Sequence, residues 1–540
     1  MKKLVLLVIT FCSISCAEEI IPVDLLVQNA NVYTVNDNFD NATAFVVKDG
    51  KILEVGETEI LQQKYVPTEI YEAGGNTIVP GLIDAHAHLY NLGVTMQQVD
   101  LVGTTSIAEV LERVSAFQES KQSEFILGRG WDQNDWEVKK FPNKADLDSL
   151  FPNTPVALTR IDGHALWVNS KALELAGVTA QTKMSGGEVV LENGAPSGIL
   201  VDSPMSLIRA VVPKPDQAFM TSALIDAEKE CFQYGLTTIN DAGLSREVIE
   251  LIDRLHQEGR LSMRVYAMVS NYPENLDHFL TKGIVKTDRL HVRSVKVYAD
   301  GALGSRGAAM RQPYSDKENH FGAMITPMED LDAVAKRIVD AGYQMNTHAI
   351  GDSANVSVLR AYKTALLDKT DARWKVEHAQ VISVEDFSNF SMNIIPSVQP
   401  THATSDMYWA EDRVGSERIK GAYSYKTLLD KAGIVALGTD FPVEQVNPMY
   451  TFYAAVARKD LNNYPEDGFR KEEALSREET LKGMTIWAAY SNFEEDEKGS
   501  IEAGKFADFV ILNTDIMTCP ENEIPKTKVI ATFLNGQKVY

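Results

Sequence analysis

The 540 residues are 44% hydrophobic and 24% charged, the proportions of an ordinary globular protein, and they carry a formal charge of −23. That acidity, with no long basic run against it, repels nucleic acid phosphates and anionic lipid and argues against partners of either kind. The length accommodates one large α/β barrel with added elements or three average domains, and with no internal repeats or low-complexity tracts the solenoid and disordered readings fall away.

Residues 1–16 read MKKLVLLVITFCSISC. A basic start at Lys2 and Lys3, a short apolar run from Leu4 to Phe11 and small residues after it form the pattern of a secretory signal peptide. The run is too short to span a bilayer as a mature helix. Its end resembles a bacterial lipoprotein signal, with Cys16 as the residue to be lipidated. Ser13-Ile14-Ser15 lacks the leucine usual three positions before that cysteine, so simple cleavage stays open. The expectation is an exported protein, periplasmic or anchored to a membrane only through Cys16. Beyond Cys12 and Cys16 the chain has Cys231 and Cys519, without metal-type spacing, and nothing in the sequence supports a disulfide between them.

Residues 24–79 read as β structure. Leu25 to Thr34 is a strand with a small break, and Ala44–Val47 and Ile52–Val55 flank Asp49-Gly50, a tight hairpin signal. The C-terminal stretch, 495–540, has the same character: strands at Phe506–Leu512 and Val529–Leu534, then the turn Asn535-Gly536. Short hairpins at either end cannot each bury a core. The simplest arrangement joins them as one small β-sandwich domain, with the middle of the chain inserted between its halves.

The middle, residues 80–494, alternates strand-like and helix-like segments. Strand candidates ending in polar residues are Ile83–His88, Val156–Asp162, Leu236–Asp241, Val295–Asp300, Gln344–His348, Lys375–His378, Ile394–Gln399 and Val435–Asp440. Amphipathic segments lie between them, among them Ile107–Gln118, Phe219–Tyr234, Glu247–Glu258, Met328–Ala341 and Ala354–Leu367. Repeated βα units give a doubly wound sheet or a closed (β/α)8 TIM barrel, and polar strand ends favour the barrel, whose reactive groups sit there. The stretch 122–198 is longer than one unit needs. Its Gly186-Gly187 and Asn193-Gly194 turns mark a hairpin-bearing insertion beside the barrel mouth.

Five of those strand ends carry metal-ligand chemistry. In Asp84-Ala85-His86-Ala87-His88 the two histidines face the same side of extended chain and can grip one divalent ion, although an isolated pair is more often structural. Lys296 lies inside the apolar strand Ser294–Tyr298. A buried lysine must be neutralised or paired, so it either reacts with carbon dioxide as a metal-bridging carbamate or pairs with a carboxylate such as Asp300. His348, His378 and Asp440 end three further strands. Each alone is weak, since a hydrogen-bonded polar strand end is the commoner case, but the joint order His-x-His, Lys, His, His, Asp is strong.

That order, the entry motif Pro80-Gly81-Leu82-Ile83-Asp84-Ala85-His86-Ala87-His88 and the exit motif Gly438-Thr439-Asp440 resemble the amidohydrolase superfamily of metal-dependent hydrolases. Trp131-Asp132, Asp162-Gly163-His164, Asp300-Gly301 and Thr347–Asp352 are similar to its branch that includes N-substituted formamide deformylases. The resemblance implies His86, His88 and Asp440 on the more buried metal, His348 and His378 on a second, and Lys296, when carboxylated, bridging the two. It does not count the ions; ligands of nitrogen and oxygen without thiolate suit zinc first. The implied reaction is hydrolysis of a C–N bond in a small amide, N-formyl compound or cyclic amide by metal-activated water, with Asp440 as proton shuttle. Ester or lactone hydrolysis, isomerisation or decarboxylation at the same metals are the alternatives, and a surface binding lipoprotein without chemistry a further one. His164, after Arg160-Ile161-Asp162-Gly163, is expected at the mouth as a donor to the substrate carbonyl or its oxyanion, unless it is simply tied to Asp162 or a backbone carbonyl. Trp131, Trp136 and Trp409 are expected in the core more readily than in a pocket. His256, His278, His291, His320 and His402 lack ligand spacing and read as structural, His402 being nearest a strand end. The substrate is a small molecule of unread identity, and the state of oligomerisation, a homo-oligomer included, is open.

Overall fold

The computed structural model describes residues 21–367 and 369–540; the leader call on 1–16, with Cys12 and Cys16, lies outside them. Among the described residues no helix is long and apolar enough to cross a membrane.

Both chain ends build one two-sheet domain. Lys51–Gly56, Ala44–Lys48, Ile21–Gln28 and Tyr65–Glu72 form a four-stranded sheet in that order. In the second sheet the C-terminal strand Phe509–Leu512 pairs antiparallel with Thr77–Pro80, so strands far apart in sequence become neighbours. The two sheets share a core that includes Val27, Phe45, Val47, Ile78, Phe509 and Phe533. Phe509 and Phe533 stack at 4.4 Å, and Phe45 meets Phe509 edge-on at 4.9 Å; each such ring removed from water contributes about 1.5–3 kcal/mol. The hairpins turn where the sequence marks them. Asp49 and Gly50 have φ of 51° and 74°, and Asn535 and Gly536 have 51° and 72°, the left-handed pairs that a tight two-residue turn requires.

The barrel is a sheet whose eight parallel strands are, in order, Leu82–Ala87, Leu236–Leu244, Arg264–Ser270, Leu290–Tyr298, Gln344–Ala349, Trp374–His378, Ile394–Val398 and Ala436–Leu437. The last and first strands close on one another through Asp440 N donating to His86 O at 2.8 Å and His88 N to Phe441 O at 2.9 Å. The helices Gln217–Gln233, Arg246–Gln257, Met328–Asp340 and Asp352–Ala365 match the amphipathic segments read from the sequence.

One strand assignment is corrected. Val156–Arg160 is not a barrel strand; Arg264–Ser270 takes that place. Val156–Arg160 pairs parallel with Ile126–Trp131 and antiparallel with Ala165–Val168, at the centre of a separate six-stranded sheet. Its first three residues, Val156, Ala157 and Leu158, are apolar and buried as in a covered central strand, so it reads like a barrel strand. Arg264–Ser270 escapes a search for reactive strand ends because it ends in serine. The separate sheet runs from Val99 to Asp202 and carries the helix Ile107–Lys121, so the insertion begins ahead of residue 122. Its predicted hairpin joins Gly187–Glu192 to Ala195–Asp202. Trp131, Trp136 and Trp167 lie in its core. Among the described residues Cys231 and Cys519 form no disulfide.

Candidate metal centre

The C-terminal ends of five barrel strands bring six of the sequence-predicted residues together. His86 is fully buried in the first strand, and His88 follows it. Their Nε2 atoms lie 3.7 Å and 3.1 Å from Asp440 Oδ1, beyond the eighth strand. Lys296, buried in the fourth strand, has Nζ 2.9 Å from His86 Nε2. His378 ends the sixth strand with its ring centred 4.9 Å from that of His86 and 4.6 Å from that of His348 on the fifth. Its φ of 71°, followed by 42° at Ala379, breaks the strand. That break lets the consecutive Glu377 and His378 reach one site, where regular extended chain would send them to opposite faces.

The entry and exit motifs are joined by Asp84. Its carboxylate accepts Thr439 Oγ1 at 2.7 Å and the backbone N–H groups of Thr439 and His86 at 3.1 Å. Burial pushes its carboxyl up to about 7, against those hydrogen bonds. Gly438 allows the close approach: a Cβ there would stand 2.5 Å from His86 N and 2.7 Å from Asp84 Oδ1. Gly438→Ala should therefore force the first and last strands apart, costing about 1–3 kcal/mol of stability. It should also lower metal content, measured by elemental analysis of the purified variant; unchanged stability and metal content would show that the strands yield without cost.

The electrostatics follow from burial. Burial alone would raise Asp440, but the contact with His88 and the nearby imidazoles of His86 and His378 hold its carboxyl well below the usual range. Burial, helped by the Lys296 ammonium, pushes His348 down to about 3 and keeps its imidazole neutral. Burial lowers Lys296 as well, against the pull of Glu377 and Asp440.

Three placements depart from the sequence reading. His164 follows Val156–Arg160 in the inserted sheet, outside the barrel strands; its side chain is 73% exposed and its Nδ1 lies 2.7 Å from Asp202 Oδ1. It is not among the residues gathered around Asp440. Asp300 does not pair with Lys296. It accepts the backbone N–H groups of Ala309, Ile350 and Gly351 at 2.8–3.0 Å and so pins the segment after the fourth strand to the end of the fifth. His402, left as structural, enters the cluster: its Nε2 is 3.3 Å from Asp440 Oδ2 and its Nδ1 3.2 Å from Glu444 Oε1. Its only sequence signal is its place in the helix Pro400–Asp406, directly after the seventh strand. Glu377 was also missed; its Oε2 lies 2.6 Å from His86 Nδ1.

The residues fit a divalent cation. Candidate ligand atoms of His86, His88 and Asp440 lie within 4.8 Å of one another, as do those of His378, His402 and Asp440. Among the described residues His348 Nε2 is buried with no hydrogen-bond partner, and the nearest carboxylate oxygen, on Asp300, is 3.7 Å away. A buried imidazole nitrogen left bare is costly unless a cation takes its lone pair.

Known proteins resemble this chain along most of its length. A model of the amidohydrolase family matches residues 69–540. The chain is 32% identical over 520 residues to the protein YtcJ of Bacillus subtilis (strain 168), covering 94% of this chain and 98% of that one. It is 26% identical over 541 residues to an N-substituted formamide deformylase of Arthrobacter pascens, covering 95% and 97%. The crystal structure of an uncharacterized metal-dependent hydrolase from Pyrococcus furiosus superposes with a TM-score of 0.76 at 28% identity, covering 92% of this chain and 100% of that one. With the barrel, the sandwich and the His, Lys and Asp cluster in hand, the match over most of the length settles the family: the chain belongs to the amidohydrolases, a family of metal-dependent hydrolases.

Proposed function

We propose that this protein hydrolyses a C–N bond of a small amide, N-formyl compound or cyclic amide, with one or two divalent ions, zinc first, as cofactor. The observation that carries the reading is the convergence of His86, His88, His348, His378 and Asp440, with Lys296 against His86. The deformylase relative, which acts on N-substituted formamides by its name, supports the C–N class. His86, His88 and Asp440 would hold one ion, and His348 and His378 a second. A bound divalent ion polarises a carbonyl and acidifies water. Asp440, held as a carboxylate, takes a proton from the attacking water and returns it to the leaving nitrogen, which departs poorly unless protonated. Lowering of Lys296 by burial favours the neutral amine, which adds to carbon dioxide and releases a proton to become a carbamate. The leader pattern supports export, with Cys16 as the lipid attachment.

The test is elemental analysis of the purified protein together with a screen of N-formyl amines, N-acyl amines, cyclic amides, esters and lactones. Zinc in the protein and turnover confined to C–N substrates are expected. Absence of bound metal, with no effect of His86→Ala, would sink the reading; turnover of esters or lactones alone would move it to the C–O class.

A further inference from the structure

We propose that Glu377 is a positioning residue of the metal centre: its carboxylate fixes the tautomer and ring orientation of His86 that turn Nε2 toward the cation. The inference rests on the metal-binding reading of this site.

His86 and Glu377 side chains are both 0% exposed, and His86 Nδ1 lies 2.6 Å from Glu377 Oε2. An ionised carboxylate only accepts, so the proton of the pair belongs to His86 Nδ1 and the lone pair to Nε2. On that Nε2 side lie Lys296 Nζ at 2.9 Å and Asp440 Oδ1 at 3.7 Å. Glu377 ties down nothing else. Its Oε1 has no hydrogen-bond partner among the described residues, and Oε2 bonds the imidazole. A carboxylate whose one bond serves a neighbouring ring is a poor structural brace, and burying it is expensive. Two residues earlier, on the same face of the strand, Lys375 supplies positive charge. Its own Nζ is held by Asn492 Oδ1 at 2.8 Å, so it stays in place when the ring next door binds or loses an ion. Carboxylates that hold the distal nitrogen of a ligating histidine raise its basicity and fix its orientation, and their loss costs about 10- to 100-fold in metal affinity.

The experiment uses the full chain with Glu377→Gln and Glu377→Leu. Zinc affinity is read by competition with a chromophoric chelator, and ligand geometry by the visible absorption of the cobalt-substituted protein. Zinc binding should weaken by about 10-fold for Gln, which keeps a neutral acceptor, and by about 100-fold for Leu, with a shifted cobalt spectrum in both. Variants that lose thermal stability yet bind zinc as tightly as the parent, with an unaltered cobalt spectrum, would overturn the proposal. Gln is nearly isosteric and carries the test by itself where Leu does not fold. A parent protein that binds neither zinc nor cobalt would overturn the metal reading with it, a failure distinct from equal binding by parent and variants.

Discussion

Asp440→Asn is expected to reduce turnover by about 10²- to 10⁴-fold while leaving metal content close to that of the parent, the range over which a positioned proton-transfer group acts. The amide keeps the size of the side chain and one oxygen donor, so the neighbouring His86 and His88 still meet an oxygen at 3.1–3.7 Å. It removes the ability to take up a proton. In the parent, the contact with His88 and the nearby imidazoles of His86 and His378 outweigh the effect of burial and keep the group ionised. That state makes it available as an acceptor when water attacks. Turnover of the best substrate from the C–N screen and elemental analysis of the same preparation decide the matter. Parallel losses of metal and turnover would reduce Asp440 to a ligand.

Asp508→Ala is expected to lose about 3–5 kcal/mol of stability, because it strands a charge inside the protein. Arg264, at the start of the third barrel strand, is 1% exposed at its side chain and Asp508 is 4% exposed. The guanidinium holds both carboxylate oxygens, Nε at 2.6 Å and Nη2 at 3.0 Å. It also lies over the Phe506 ring at 3.9 Å and donates to Asn535 Oδ1 at 2.5 Å. Gly81 N donates to Asp508 O at 2.8 Å where the chain leaves the sandwich for the barrel. The pair therefore sits at the joint of the two domains. Denaturant unfolding measures the loss. The paired change Arg264→Met with Asp508→Leu removes both charges and should recover much of the loss; a single change costing under about 1 kcal/mol would show that water reaches the arginine.

Much of the site was legible because its chemistry is expensive. A lysine in the run Ser-Val-Lys-Val-Tyr and histidines ending buried strands are costly residues in apolar surroundings, so their grouping points to one purpose. Local turn chemistry was equally legible, since Asp49-Gly50 and Asn535-Gly536 are backbone requirements carried by two residues each. Glu377 and His402 were not. Strict alternation sends Glu377 and His378 to opposite faces, and only the left-handed turn at His378 brings both to one site. His402 lies on a helix after the seventh strand, and its distance from Asp440 depends on how that helix docks. The error at Val156–Arg160 has the same origin: an apolar strand declares its burial and not the sheet it enters.

By itself the sequence determined the barrel class, the residue types of the His, Lys and Asp cluster and the sandwich built from both ends, since these follow from local periodicity, turn residues and the cost of buried charge. Only the tertiary structure decided which strands are neighbours, that Asp300 braces backbone instead of pairing with Lys296, and that His164 stands on the inserted sheet while Glu377 and His402 join the centre. Those facts are distances between residues far apart in the chain, set by strand order and docking, and no local pattern encodes them.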